Sequence, residues 1–132
     1  MDPDFGTIRV PRIVGAYDVG RVITSRIVRS QCIGGMVGGI GLALLERAAR
    51  LGRAINVNLA EYLLWVNADV TDLDVTFLTS SDEIFNPLGA GAKGLAEIAL
   101  CGVAPAIANA MYDATGKRVR DLPIMPEKLL ID

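Results

Sequence analysis

The sequence predicts an α+β fold with a glycine-rich central helix, a small mixed or antiparallel sheet and a second, C-terminal helix. Three observations support this class. A strong helical pattern of apolar residues occupies residues 31–51, β-branched segments flank it, and helices and strands do not alternate in a βαβ order. With 132 residues and 52% hydrophobic content, the chain is long enough for a hydrophobic core, so we expect one compact domain over residues 1–132.

The strands are predicted from short β-branched segments. Residues 7–10 and 12–19 are separated by Pro11 and carry β-branched side chains at alternating positions, and residues 75–78 form a third candidate strand. Asp18 follows the second segment in a turn-forming run. We interpret it as a turn residue in preference to a ligand contact.

The central helix is unusual in its glycine content. We predict that it spans residues 31–51 after a connector at 24–30, with an apolar stripe formed by Ile33, Val37, Ile40, Leu44 and Ala48. Each internal glycine costs roughly 1 kcal/mol relative to alanine, so another backbone or a flat ligand should pack against them. These glycines are Gly34, Gly35, Gly38, Gly39 and Gly41. Gln31 either caps this helix or directs its amide towards the occupant of the glycine face. Because Gln31 and Glu46 bracket the apolar run, we expect it to be too short to cross a membrane.

A glycine-rich loop over residues 86–94 leads into the second predicted helix. We place this helix over residues 97–114, with its N-terminus near Lys93 to Glu97. Its glycines permit positive φ angles and close approach to a ligand. Unpaired N–H groups at a helix N-terminus favour an anion, and a carboxylate such as Glu97 beside a ligand can act as a general base. The alternative is that Glu97 is a solvated residue of the first helical turn.

This loop differs from two known glycine-loop motifs. The spacing Gly89-x-Gly91-x-x-Gly94 matches the dinucleotide-binding fingerprint, but no strand runs directly into it. A phosphate-binding loop requires Ser or Thr after the lysine, whereas Lys93 is followed by Gly94. The context therefore favours neither motif.

The composition argues against several classes of function. The chain has no histidine, which removes Ser-His-Asp catalysis and histidine-based zinc sites. A net charge of −2 argues against nucleic acid as a partner. Cys32 and Cys101 are too few for an iron–sulfur cluster, and we expect both to be buried thiols. Residues 1–5 lack the features of a signal peptide, so a cytoplasmic location without membrane insertion is expected.

Several motifs occur in a specific order along nearly the whole chain. They are Asp18-Val19-Gly20-Arg21, Gln31-x-x-Gly34-Gly35-Met36, Asn67-Ala68-Asp69-Val70, Asn86-Pro87-Leu88-Gly89, Gly91-Ala92-Lys93-Gly94-Leu95-Ala96-Glu97 and the segment 114–124. As an ordered set they resemble the C-terminal part of the molybdenum-binding subunit of the xanthine dehydrogenase and aldehyde oxidase family. The family's molybdenum cofactor is a molybdopterin.

This resemblance implies a catalytic role for Glu97. In the family, the matching glutamate deprotonates a hydroxyl group on molybdenum, and that oxygen attacks an electrophilic carbon of an aldehyde or N-heterocycle. The resemblance also implies that the cofactor is contacted by Gln31, Lys93, Gly94, Leu95 and Ala96. None of these residues is expected to be a ligand of the metal. Ala96 replaces the family's usual glycine and adds a methyl group where the cofactor should approach.

The family's subunit is several times longer and works with iron–sulfur and FAD partners. We therefore expect this chain to form one wall of the site, to hold no cofactor by itself and to be inactive in isolation. Its glycine-rich apolar face should promote self-association. The alternative is a non-catalytic interaction module derived from this family. An aldehyde, a purine or another heterocycle remains open as the substrate.

Overall fold

The computed structural model describes residues 1–2, 4–47, 58, 60–78, 91–95 and 97–130. Within these ranges the elements are, in order, β1 (Arg12–Tyr17), α1 (Ser25–Leu44), β2 (Asp72–Phe77), α2 (Ile98–Cys101), α3 (Val103–Thr115) and α4 (Glu127–Leu130). Helix α1 packs against β2, α2 and α3. The predicted α+β class and glycine-rich central helix are therefore confirmed.

The two strands are parallel, with Arg12 opposite Asp72 and Tyr17 opposite Phe77. The prediction of a mixed or antiparallel sheet was wrong. In the sequence, α1 separates the two strands and carries the chain back along the sheet, so β2 runs in the same direction as β1. The order β1-α1-β2 also contradicts the prediction that no βαβ order occurs. Residues 7–10 do not form the predicted strand, since β2 begins at Asp72 and offers them no partner.

Helix α1 begins at Ser25, so the predicted connector at residues 24–30 is mostly helical. A tertiary contact accounts for this earlier start. Arg29 donates from Nη1 to the Val75 carbonyl oxygen at 2.9 Å, and its Nη2 lies 3.9 Å from Asp74 Oδ1. The helix ends at Leu44, seven residues before the predicted end at residue 51. Residues 48–57, including Ala48, lie outside the described residues.

The buried face of α1 differs from the predicted apolar stripe. Its fully buried apolar side chains are Cys32, Met36, Ile40 and Ala43. The predicted stripe residues Ile33, Val37 and Leu44 are only half-buried. The buried face is rotated about the helix axis relative to the predicted stripe, because Gly35 and Gly39, and not the largest apolar side chains, lie against α2 and α3.

By length and composition, α1 could cross a membrane. It has 20 residues and contains a window with a mean hydropathy of 1.4, so the expectation that it would be too short was wrong. The same features are common in a central helix of a folded domain. Met36 and Ile40 are fully buried by the surrounding elements, and a side chain at Gly15 of β1 would overlap the Met36 methyl group.

The second predicted helix is divided into α2 and α3 at Gly102. Pro105 lies in the first turn of α3, where its missing N–H group breaks no helical hydrogen bond. The predicted stop at residues 115–116 is confirmed, since Gly116 has a φ of 71° and donates to the Tyr112 carbonyl oxygen at 2.7 Å. A further short helix, α4, follows near the C-terminus.

The two cysteines have different environments. Cys32 is fully buried, as predicted, and burial raises the pKa of its thiol. Burial and the nearby Cys32 also raise the pKa of Tyr17. Cys101 is exposed, which contradicts the prediction. It lies two residues beyond the buried Ala99 in α2, a separation that turns its side chain to the other side of the helix.

Candidate functional site

Two glycines determine how closely α1 approaches the segment that follows Glu97. A Cβ atom at Gly35 would lie 2.9 Å from Ala99 Cβ, and one at Gly39 would lie 2.5 Å from Val103 Cβ. No side chain fits at either position, so the glycines allow the helices to pack closely. The predicted packing of another backbone against the glycine face is confirmed at Gly35, which lies against backbone atoms of residues 99 and 100.

These contacts also define the relative direction of the helices. From Gly35 to Gly39, and from Ala99 to Val103, the contact advances by one helical turn on both sides. Helix α1 and the α2–α3 region therefore run in the same direction. Gln31, one turn before Gly35, and Glu97, two residues before Ala99, therefore lie towards the same end of this contact, although they are far apart in the sequence.

The surface at this end is open within the part of the chain that the structure describes. Gln31 and Glu97 are both exposed. A Cβ atom at Gly34 or Gly94 would meet no heavy atom within 4 Å. Glu97 occupies the N-cap position of α2, but its carboxylate makes no capping hydrogen bond. The carboxylate is therefore not committed to stabilising its own helix.

A turn after β1 holds the loop that precedes Glu97. The Arg21 N–H donates to the Gly91 carbonyl oxygen at 2.7 Å, and the Lys93 N–H donates to the Val19 carbonyl oxygen at 2.9 Å. Gly20 pairs with Ala92 in an antiparallel bridge between these bonds. Gly20 has a φ of 61°, and a Cβ atom there would overlap the Gly91 carbonyl oxygen. This close approach requires glycine.

The side chain of Lys93 joins the same contact. Its Nζ donates to Asp18 Oδ2 at 2.5 Å, while Asp18 Oδ1 accepts the Gly20 N–H at 3.1 Å. Asp18 is therefore a turn residue, as predicted. The sequence assigned Lys93 to the cofactor wall and missed this pair, since the two residues are 75 positions apart. The only feature of the sequence that could have indicated this pair is that Asp18 and Lys93 both belong to the ordered family motifs.

The argument for an anion at the start of a long second helix is not supported, because α2 has only four residues and aligns few peptide dipoles. Leu95 is partly buried against the core. Ala96 and the loop residues 86–90 lie outside the described residues. Within the described ranges, no group of three or more side chains of metal-ligating type is present.

A second concave surface lies near the C-terminus. This shallow groove of about 420 Å³ is lined by Arg118, Val119, Arg120, Asp121, Glu127 and Lys128. Two of its cations have partners within the chain. Lys128 donates to the carbonyl oxygens of Asp121 and Pro123, and Arg118 donates to Asn109 Oδ1 and stacks on the Tyr112 ring. None of the lining residues belongs to the loop before Glu97.

Known proteins resemble both the sequence and the fold. Residues 1–71 match the model of the molybdopterin cofactor-binding domain family. The chain is 46% identical over 128 residues to the aldehyde oxidoreductase molybdenum-binding subunit PaoC of Escherichia coli K12, covering 95% of this chain and 17% of PaoC. It is 35% identical over 126 residues to the putative xanthine dehydrogenase molybdenum-binding subunit XdhA of the same organism, covering 92% and 16%.

A solved structure extends the comparison to the fold. The aldehyde oxidoreductase of Desulfovibrio gigas superposes with a TM-score of 0.81 at 30% identity, covering 98% of this chain and 14% of that one. The chain spans about a sixth of the length of PaoC and XdhA. The family match covers more than half of the chain, and the ordered motifs agree with it. The chain therefore belongs to the molybdopterin cofactor-binding domain family and corresponds to part of a molybdenum-binding subunit of the xanthine dehydrogenase and aldehyde oxidoreductase type.

Proposed function

We propose that this chain supplies the glutamate-bearing wall of the active site in a molybdenum hydroxylase. The substrate class is an aldehyde or an N-heterocycle such as a purine, with water as the source of oxygen. One observation carries the proposal: the parallel contacts of Gly35 with Ala99 and of Gly39 with Val103 put the exposed Gln31 and the uncapped carboxylate of Glu97 towards the same end of the helix contact. The names of PaoC and XdhA include an aldehyde and a purine among the substrates of the family.

The residues at this end fit one side of a large polar cofactor. Gly34 and Gly94 leave space for a group to approach the backbone, and the exposed Gln31 amide can both donate and accept hydrogen bonds. Lys93 to Ala96 would contribute mainly backbone groups, since the Lys93 ammonium is paired with Asp18. The opposite side must come from other segments, because a chain of this length leaves the site open to water.

The chemistry divides between the cofactor and the chain. When bound, the molybdenum cofactor supplies the two-electron oxidation that replaces a substrate C–H bond by a C–O bond. Glu97 accepts the proton released from the water-derived oxygen at a carboxylate oxygen and then passes it to solvent. Its exposed carboxylate has free acceptor positions because it makes no capping bond. Gln31 binds and orients the cofactor through its amide.

Activity requires the rest of the protein. PaoC and XdhA are both named as subunits, and the chain covers about a sixth of each. We propose that the remaining molybdenum-subunit segments complete the cofactor site and that iron–sulfur and FAD subunits remove the electrons in the cytoplasm. The isolated chain would hold no cofactor. Because Ala99 and Val103 cover the glycine face at Gly35 and Gly39, self-association would use exposed apolar side chains in place of the expected glycine-rich face. These include Phe5, Val14, Ile23, Ile27, Leu63, Leu64 and Ile98.

The Glu97→Gln variant tests this proposal in the complete subunit assembled with its partners. We expect kcat to fall about 10²- to 10⁴-fold, as for loss of a general base, with unchanged molybdenum content. Turnover is measured with benzaldehyde and with xanthine as probes and an artificial electron acceptor. Glu127→Gln, at an exposed glutamate in α4, is the matched control and should leave kcat unchanged.

Two outcomes would contradict the proposal. Wild-type turnover in Glu97→Gln would remove the assignment of the base. A fully loaded, unmodified enzyme that oxidises neither probe nor any of a wider series of aldehydes and heterocycles would favour the non-catalytic module.

A further inference from the structure

We infer that Asp18 and Gly20 are positioning residues for Glu97, holding residues 91–95 through the Lys93 ammonium and the Gly91 carbonyl group. Lys93 accordingly acts on catalysis through the loop, and its side chain does not touch the cofactor. This inference rests on the proposed role of Glu97 as the base. It assigns to Asp18, Gly20 and Lys93 a mechanical function that neither the sequence motifs nor the comparisons specify.

The first step of the argument is the backbone contact. Two hydrogen bonds, from Arg21 to Gly91 and from Lys93 to Val19, flank the bridge between Gly20 and Ala92. Together they give the loop the register of a short antiparallel ladder. Because a side chain at Gly20 would overlap the Gly91 carbonyl oxygen, this ladder requires glycine at position 20.

The second step concerns the two ends of the segment that carries Glu97. Lys93 is tied to the turn at one end, and Ala99 packs against Gly35 of α1 at the other. Glu97 lies between these two points. A displacement of the loop at Lys93 would therefore move the carboxylate, and a misplacement of about 1 Å is enough to slow catalysis strongly.

The third step concerns the side chains. The Lys93 and Asp18 side chains are 26% and 36% exposed, so their pair is partly solvated. A partly solvated pair contributes little to global stability. The pair nevertheless connects the loop to the turn, because one oxygen of Asp18 accepts from the Lys93 ammonium while its other oxygen accepts the Gly20 N–H within the turn. Loss of the pair should thus alter the site without unfolding the protein.

The main test is a double-mutant cycle in the assembled enzyme. Asp18→Asn retains the oxygen that accepts the Gly20 N–H but removes the charge, and Lys93→Met removes the ammonium. For benzaldehyde and xanthine, we expect each variant to lower kcat about tenfold, with KM and molybdenum content unchanged. The double variant should be no slower than the slower single variant, because both substitutions remove one interaction. Lys93→Arg, which keeps the cation, should restore most of kcat.

A matched ion pair provides the control. Arg12 and Asp72 lie 3.2 Å apart on the exposed end of the sheet, away from the loop. Asp72→Asn removes a comparable charge and should leave kcat unchanged. Wild-type kcat in Asp18→Asn, multiplicative effects in the double variant, or loss of molybdenum in Lys93→Met alone would each overturn the inference. The last result would show that Lys93 contacts the cofactor directly.

Amide hydrogen exchange gives a readout independent of activity. Asp18→Asn and Lys93→Met should both accelerate exchange of the Lys93 N–H, which donates to Val19, whereas Asp72→Asn should not. Unchanged exchange would overturn the inference. For a variant that does not assemble, the 132-residue chain is measured instead. If Glu97→Gln remains active, the proposed base fails, but the exchange rates still determine whether Asp18 holds the loop.

Discussion

The contacts on the two sides of Glu97 differ in chemistry. After Glu97, Val103 packs against Gly39 in a buried apolar interface. Before it, Lys93 and Asp18 form a polar contact that is open to water. Loss of the buried contact changes the free energy of unfolding, because cavities and overpacking are costly in a core. Loss of the polar contact mainly changes local geometry. We therefore expect stability to depend on the buried contact and the position of the loop to depend on the polar contact.

The largest expected effect comes from the buried contact. In Gly39→Ala, the new Cβ atom would lie 2.5 Å from Val103 Cβ, and no rotation of the Val103 side chain moves that atom away. We expect a loss of about 1–3 kcal/mol in the free energy of unfolding, as is typical of overpacked cores. Urea-induced unfolding followed by circular dichroism measures it.

Gly34→Ala is the control for helix propensity. A Cβ atom at Gly34 meets nothing within 4 Å, so this variant should gain up to about 1 kcal/mol from the better helix-forming residue. If Gly39→Ala were as stable as Gly34→Ala, the close approach of α1 to α3 would be disproved.

A loss of stability is also expected where the turn at Gly20 contacts the loop. Gly20 and Gly116 both have positive φ angles, at 61° and 71°. An alanine at either position costs about 1–2 kcal/mol of backbone strain. Gly116→Ala meets no neighbouring atom, whereas Gly20→Ala also meets the Gly91 carbonyl oxygen. We therefore expect Gly20→Ala to be the less stable variant in the same urea titration. Equal stabilities would indicate that the turn and loop separate without cost.

The smallest expected effect concerns the reactivity of the two cysteine thiols. In the folded chain, Cys101 should react rapidly with Ellman's reagent, while the buried Cys32 should react only after unfolding. Burial raises the pKa of Cys32, so the folded state holds this proton more tightly than the unfolded state. The resulting stabilisation is present below the ordinary thiol pKa and is lost as the pH rises through the raised value. Two equally fast thiols in the folded protein would contradict the buried position of Cys32.

Local patterns predicted the features that depend on neighbouring residues. Gly116 ends α3, which stops at Thr115 close to the predicted end at residue 114, because this glycine adopts a left-handed conformation. Ordered motifs also identified Gln31 and Glu97 as members of one candidate site. These features require only the properties of short segments or their order along the chain.

Other features depended on distant partners and could not be predicted in this way. The early start of α1 depends on Arg29 reaching Val75, and the parallel direction of the strands depends on the path of the crossover. The same applies to Lys93, whose pairing with Asp18 joins residues 75 positions apart.

By itself, the sequence determined the family, the glycine-rich helix and the residues of the candidate site, because each is encoded in local residue types and their order. Only the tertiary structure decided which glycine packs against which neighbour. It also decided that the Lys93 ammonium pairs with Asp18. The physical reason is that helix rotation and long-range pairing minimise the free energy of the whole fold. A periodic pattern does not specify the partner against which a helix face packs.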